Sequence, residues 1–240
     1  MHFDWAKAKE SFTEAVSETT QLIPKNAQLL HGTTPVQTKD DILAMLNDYK
    51  AVGVKGIIIY QASYIAGDLA LAIATWLREN DMPILSWSHT EVTGGNLTAN
   101  RFCGQNFLLN ILSSMQIKYS WIFADLGSDE LKTQLNRFAR VVCAKAEMKY
   151  SKLLMIGGMR VPGFYDCELN EMSIARHFGL DIERIDIETI WQYSKKFDAE
   201  QVNPVVQKLI NSPSCTQCQV NDNELFLSVR LGGNCRLYAC

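Results

Sequence analysis

Short apolar runs, one of them strongly β-branched, alternate with longer helical stretches along most of this chain, and no other feature constrains the fold as much. The clearest run is Val54–Tyr60, which contains Gly56-Ile57-Ile58-Ile59-Tyr60. A short, nearly continuous run of this kind suits a strand covered by helices on both faces. Pro83–Trp87, Tyr119–Ala124, Lys152–Ile156 and Ile182–Ile187 read the same way, as does the short apolar run Ala27–His31 before Gly32. Helices are predicted between them over Ala6–Leu22, Asp40–Val52, Gly67–Glu79, Leu97–Met115, Asp129–Tyr150 and Cys167–Phe178. Further helix candidates are Ala199–Asn211 and Asn223–Leu231 in the more polar stretch after Lys196. Thr38 is placed to cap the second helix, with acidic residues in its first turn and Gly53 at its end.

Strand, helix, strand in repetition with short links implies crossovers and a mostly parallel sheet. The fold class read from this is α/β: two flavodoxin/Rossmann-like parallel-sheet units in tandem, the second incomplete. The expected division is residues 1–150 for the first unit and residues 151–240 for the second, with Asp129–Tyr150 as the connecting helix.

The bulk properties narrow the function. With 240 residues, 47% of them hydrophobic, the chain can bury a core. A net charge of -3 gives no sign of a nucleic-acid partner. No apolar run approaches the ~20 residues that span a bilayer, and Met1–Lys9 does not read as a secretory signal. Seven cysteines, an odd number, fit free thiols in a reducing compartment. The expectation is a cytoplasmic protein with no membrane and no nucleic-acid partner.

In open parallel sheets, ligands bind beyond the carboxyl ends of the strands. The residues there include Gln61 and Tyr64, Trp87 and His89, Ala124-Asp125, and Gly157 to Arg160. Polar and aromatic groups together suit a sugar, which offers hydroxyls to hydrogen-bond and C–H faces to stack. Trp87 and His89, two apart, lie on the same side while the strand persists. Trp87 would then pack on a sugar and His89 would hydrogen-bond a hydroxyl; the competing reading is a core tryptophan beside a surface histidine.

Three ordered motifs carry a resemblance to a known family. Pro83-Ile-Leu-Ser-Trp-Ser-His-Thr-Glu91 is similar to the strand ending in Trp and Glu of the L-fucose/L-arabinose isomerase family. Gly94-Gly95-Asn96-Leu97 followed by Asn100-Arg101-Phe102-Cys103-Gly104 resembles its next loop and helix start, and Gly157 to Tyr165 resembles its Gly-x-Arg-x-Pro-Gly-Phe-Tyr stretch. The resemblance runs from about Ala27 to Trp191. It implies an aldose–ketose isomerase of carbohydrate metabolism, oligomeric, with active sites formed between subunits. It also implies that the amino-terminal part supplies substrate contacts, for which the candidates are Gln61, Tyr64, Trp87, His89, Glu91, Arg101, Arg160 and Tyr165. The family uses a divalent metal, typically Mn2+, through ligands expected in parts beyond this sequence, so no metal is expected to be held by this chain. Partners implied are a small-molecule sugar and either further copies or a completing chain. The family's first domain opens with a strand before its first helix, whereas here only Met1–Trp5 precedes it. The chain therefore reads as truncated at both ends. Its alternative reading is a non-catalytic sugar-binding or regulatory module, or an inactive fragment.

The remaining clusters read as structural. Glu168, Glu171 and His177 do not share one helix face and read as solvated. Gly94-Gly95 and Gly157-Gly158 fit neither Gly-x-Gly-x-x-Gly nor the P-loop. Gly-x-Ser-x-Gly is absent. Cys215 and Cys218 with Cys235 and Cys240 form the one metal-like spacing, a candidate for structural zinc. The competing reading is a set of free thiols near the terminus.

Overall fold

The structure, a computed structural model, describes residues 3–92, 98–157, 162–215 and 217–238, with side chains up to residue 232. The chain divides into two compact units, Met1–Ala146 and Glu147–Cys240.

In the first unit the order is α1 (Trp5–Leu22), α2 (Lys39–Ala51), β1 (Ile57–Tyr60), α3 (Gly67–Asn80), β2 (Ile84–Ser88), α4 (Arg101–Ser114), β3 (Ser120–Phe123) and α5 (Asp129–Met148). The three strands form a parallel sheet in the order β1-β2-β3, with Tyr60 beside Trp87 and Trp87 beside Ile122. The strands are short because each lies within one short apolar run, and the parallel pairing follows from the helix that separates each pair.

Strand alternation sorts the side chains into two apolar layers. Ile57, Ile59 and Ile84 pack with Leu46 of α2, Leu69 and Ile73 of α3, and Leu108 and Leu112 of α4. On the other face Ile58, Tyr60, Leu85, Trp87 and Ile122 pack with Ala15 of α1 and Leu131 and Leu135 of α5. The sheet is thus sandwiched between α2, α3 and α4 on one side and α1 and α5 on the other. Thr38 caps α2 as its sequence suggests, its Oγ1 accepting the Asp41 N–H at 3.2 Å. Gly104 lets α4 approach the loop after β1 closely. A Cβ there would stand 3.0 Å from the Ile65 nitrogen and 3.1 Å from the Tyr64 Cα, both unyielding backbone atoms.

In the second unit β4 (Lys152–Ile156) and β5 (Asp181–Ile185) pair in parallel. With them go α6 (Glu171–Phe178), α7 (Ile187–Ser194), α8 (Ala199–Ile210) and α9 (Asp222–Tyr238). The architecture is α/β, as the alternation implies.

Three local expectations are corrected. Ala27–His31 forms no strand: a groove lies between Leu29–His31 and β1, and the segment pairs with no described strand. The helix expected from Cys167 starts at Glu171: Asn170 caps it, its Oδ1 accepting the Ser173 N–H at 2.9 Å, and a 3-10 turn covers Tyr165–Cys167. Helix α7 was not expected from the sequence; the Asp186 carboxylate starts it by accepting the Thr189 N–H at 2.7 Å. Among the described residues no helix is long and apolar enough to cross a membrane.

Candidate functional site

A polar cluster stands at the carboxyl end of the first sheet, on the face that meets α1. It arises because Tyr60, ending β1, and Trp87 and His89, ending β2, all point toward α1 by strand alternation. Helix α1 packs there through Ala8, Ser11, Ala15 and Thr19, a stripe of small residues that brings its backbone close. Ser11 is the polar member of that stripe that reaches the strand ends. Its Oγ meets Tyr60 Oη in a short hydrogen bond and lies 3.2 Å from His89 Nε2, which is itself 2.7 Å from Tyr60 Oη. The Tyr60 and His89 rings stack at 5.8 Å with 5° between their planes.

The hydrogen bonds determine the proton arrangement. His89 Nδ1 lies 3.0 Å from the Thr90 carbonyl oxygen, which can only accept. Nδ1 therefore carries the proton and Nε2 is the acceptor in the neutral ring. Nε2 then accepts the Tyr60 hydroxyl, and the Tyr60 oxygen accepts from Ser11. Burial, and then the charge of Arg101, lower the His89 pKa, against the pull of the Thr90 carbonyl. Burial also raises the Tyr60 pKa, with Ser11 opposing it. Both shifts favour the uncharged forms of the two groups.

Arg101 and Glu91 support the cluster. Asn100, before α4, is left-handed and supplies no side-chain cap. Glu91 caps in its place: its Oε1 accepts the Asn100 N–H at 2.7 Å and its Oε2 accepts the Arg101 N–H at 2.6 Å. A carboxylate at a helix N-terminus is favoured electrostatically. Arg101 is 8% exposed, with Nη1 at 4.0 Å from Glu91 Oε1, and its Nε is buried without a partner among the described residues. Asp125, after β3, accepts the Thr90 N–H at 2.8 Å; that bond and one from the Thr90 hydroxyl hold its carboxyl below the usual carboxylate range.

The structure gathers His89, Glu91 and Arg101 of the sequence candidates around one place. Trp87 is not at the surface: it is fully buried, packs on Tyr60 at 4.7 Å between ring centroids, and donates its indole N–H to the Ala124 carbonyl at 2.9 Å. It forms the floor beneath the cluster, with neither ring face open to stack on a ligand. Tyr64 is half-buried between Phe3 and Phe107, in a loop tied to Ala99 by its own N–H. Gln61 is buried and its Nε2 has no partner among the described residues; it lines a groove beside β1 rather than joining the histidine cluster. Tyr165 lies in the second unit, largely exposed. Arg160 and the Gly94-Gly95-Asn96-Leu97 motif lie outside the described residues. Ser11 and Tyr60 were missed. Their only sequence signal is a serine within the small-residue stripe of α1 and a tyrosine closing a β-branched run.

No group of three or more His, Cys, Asp or Glu side chains among the described residues could hold a metal ion. Glu168 precedes α6, Glu171 is taken by Arg184, whose Nε donates to it at 2.7 Å, and His177 Nδ1 lies 2.7 Å from the Ser173 carbonyl. Cys215 and Cys218 are free thiols, and Cys218 Sγ lies 3.7 Å from the Val220 carbonyl oxygen. The side chains of Cys235 and Cys240 lie outside the described residues.

The lowered pKa of His89 gives a pH prediction. With its folded value below the ordinary 6.5, the unfolded chain binds the extra proton first as pH falls. The contribution of His89 to stability is thus complete above about pH 6.5 and is lost as pH falls from there through the folded-state value. Thermal midpoints between about pH 5 and pH 8 should therefore fall more steeply on acidification for the native chain than for His89→Gln. Equal slopes would show that His89 does not titrate in this buried setting.

Two comparisons with known proteins bear on the site. The family described as fucose/sulfoquinovose isomerase, N-terminal domain, matches residues 3–149. A sulfoquinovose isomerase of Alkalicoccus urumqiensis is 24% identical over 191 residues, 79% of this chain and 42% of the relative. The chain thus spans less than half the length of that relative.

Proposed function

We propose, for a chain that belongs to the fucose/sulfoquinovose isomerase family through its amino-terminal domain, that it serves the substrate side of an aldose–ketose isomerase. The observation that carries this reading is the neutral cluster of Ser11, Tyr60 and His89 at the carboxyl end of the sheet, with Arg101 buried beside it.

Each member has a role that its hydrogen bonds permit. The neutral His89 accepts a sugar hydroxyl proton at Nε2 in place of Tyr60. The released Tyr60 hydroxyl, still within reach of Ser11, donates to a neighbouring sugar oxygen. Arg101 offers its unpartnered Nε–H to an oxygen of the same sugar, a charge-assisted bond stronger than a neutral one. Trp87 beneath and Glu91 behind hold the cluster in place. The sugar ligands to test first are L-fucose and sulfoquinovose, the sugars in the names of the family and the relative.

Such isomerases use a divalent metal, typically manganese. The described residues do not fit that ion, since no set of carboxylates and histidine converges among them, and no step is drawn through a metal. We place the metal ligands outside this chain, on further polypeptide or a neighbouring copy, and the working protein in the cytoplasm as an oligomer.

Titration calorimetry of the chain with L-fucose and with sulfoquinovose tests the reading. Saturable heat from one of them is expected, weakened about tenfold or more in His89→Ala through loss of a buried acceptor. No heat from either sugar, or binding unchanged in the variant, would overturn it. With manganese added, the chain alone is expected to form no ketose. Turnover would place a metal site within this chain.

A further inference from the structure

Strand β1 has only one neighbour, β2. The Ile57 and Gln61 N–H groups both turn toward β2, donating to the Pro83 and Trp87 carbonyls at 2.8 Å each. Backbone groups alternate along a strand, so Ile58 and Tyr60 turn theirs to the opposite edge. The Tyr60 carbonyl accepts the Ala62 N–H at 3.1 Å; the other edge groups meet no second strand.

That edge does not face open solvent. It forms the floor of a groove of about 510 Å³ that continues the plane of the sheet between its two helical layers. Phe12 and Val16 of α1 form one wall, Ile42 and Met45 of α2 the other, and Leu29, of the segment expected to be a strand, also lines it. At its end Gln61, 3% exposed, presents a buried Nε2 with no acceptor among the described residues.

From these features we infer that the groove is a slot for one added strand: an extended peptide segment, apolar on both faces, that pairs with the free edge of β1. The backbone of such a segment supplies the donors and acceptors that Ile58 and Tyr60 need, as when a peptide extends an existing sheet. Its side chains alternate between the α1 and α2 walls, and because both are apolar, both of its faces must be apolar, which a run of Val and Ile provides. One of its carbonyls answers Gln61 Nε2. A sugar matches less well, since Phe12, Val16, Ile42 and Met45 on the two facing walls offer it only carbon and sulfur. A second copy pairing through its own β1 does not match either, because that edge is equally recessed between helices and two such edges cannot meet.

A blocked peptide of alternating Val and Ile flanked by lysines, added to the native chain, tests this by amide hydrogen exchange. Exchange at Ile58 and Tyr60 is expected to slow about tenfold or more in a saturable manner. The same peptide with a central proline, which lacks an N–H and cannot pair at that position, should not protect them. Val16→Glu and Met45→Glu, on opposite walls, should each weaken binding about tenfold or more by burying an unpaired charge; the two variants guard against one failing to fold. Met45→Glu, on the α2 wall, which carries none of Ser11, Tyr60 and His89, should titrate the sugars as the native chain does, which separates this result from the sugar titration. The inference fails if no peptide binds, if protection appears elsewhere, if the proline peptide protects equally, or if the two amides are already protected in a dimer of the chain alone.

Discussion

Replacing Trp87 with alanine is expected to lower the unfolding free energy by about 3–5 kcal/mol, the usual cost of removing a fully buried aromatic residue. Trp87 has no exposed surface and belongs to the core cluster that joins β2 and β3 to α1 and α5. Its indole also donates to the Ala124 carbonyl at 2.9 Å. A second variant separates volume from hydrogen bond. Trp87→Phe keeps most of the packing but leaves that carbonyl without its donor, at about 1–3 kcal/mol. Urea unfolding curves of the three proteins should fall in the order native, Phe, Ala. A loss under about 1 kcal/mol in the alanine variant would mean the indole is not a core residue. The substitution should also loosen the ligand cluster, since Tyr60 rests on the indole at 4.7 Å.

Gln105 should show the second large effect. It is 1% exposed and sits where α4 crosses the sheet. Its Oε1 accepts the Ser88 hydroxyl at 2.6 Å, and its Nε2 donates to the Ser86 and Ile122 carbonyls at 3.1 and 2.9 Å. One amide thereby ties β2 to β3 from above. Gln105→Leu has a similar volume and no polar atoms, so it strands a buried hydroxyl and deprives two carbonyls of a donor. A loss of about 2–4 kcal/mol is expected from these unsatisfied groups. Gln105→Glu adds a sign. A carboxylate facing two carbonyls would be held protonated well above its ordinary range, so this variant should be more destabilised at neutral pH than near pH 4. A glutamate variant as stable as the native chain at neutral pH would show that the site admits water and is not the dry joint described above.

The two residues differ in how far their sequence betrays them. Trp87 was visible as part of the run Pro83–Glu91, but its place was not. At a strand end the same tryptophan can face a ligand or the core, and the outcome depends on whether a helix covers it. Here α1 and α5 do, because the small residues of α1 and the leucines of α5 meet that face of the sheet. Gln105 gave no signal, since a polar residue within a helix ordinarily faces water. It is buried because Ser86 and Ser88 lie on the same face of β2 and leave room for an amide between α4 and the sheet.

Glu91 shows a third kind of shift. As a substrate candidate it stood on the resemblance of Pro83–Glu91 to the family's strand, whereas in the fold both of its oxygens are used by the backbone N–H groups that open α4. Its contribution is then to position Arg101. That role depends on a contact between residues nine positions apart, Glu91 and Asn100, and no local pattern encodes it.

What the sequence determined by itself is the kind of element at each place and the family. Short apolar runs from Val54 onward become strands, Thr38 and Asp186 open helices through their own side chains, and the ordered motifs from Pro83 to Gly104 point to the isomerase family that the domain match bears out. These are local properties, decided by side-chain shape and by hydrogen bonds a few residues apart. What only the tertiary structure decided is pairing across distance. Ala27–His31 has the composition of a strand and is not one, because a strand needs backbone pairing and a groove separates this segment from the free edge of β1. Ser11, Tyr60 and His89 are 49 and 29 residues apart in the chain and meet in one hydrogen-bonded cluster. The meeting follows from the packing of α1 on two strand ends.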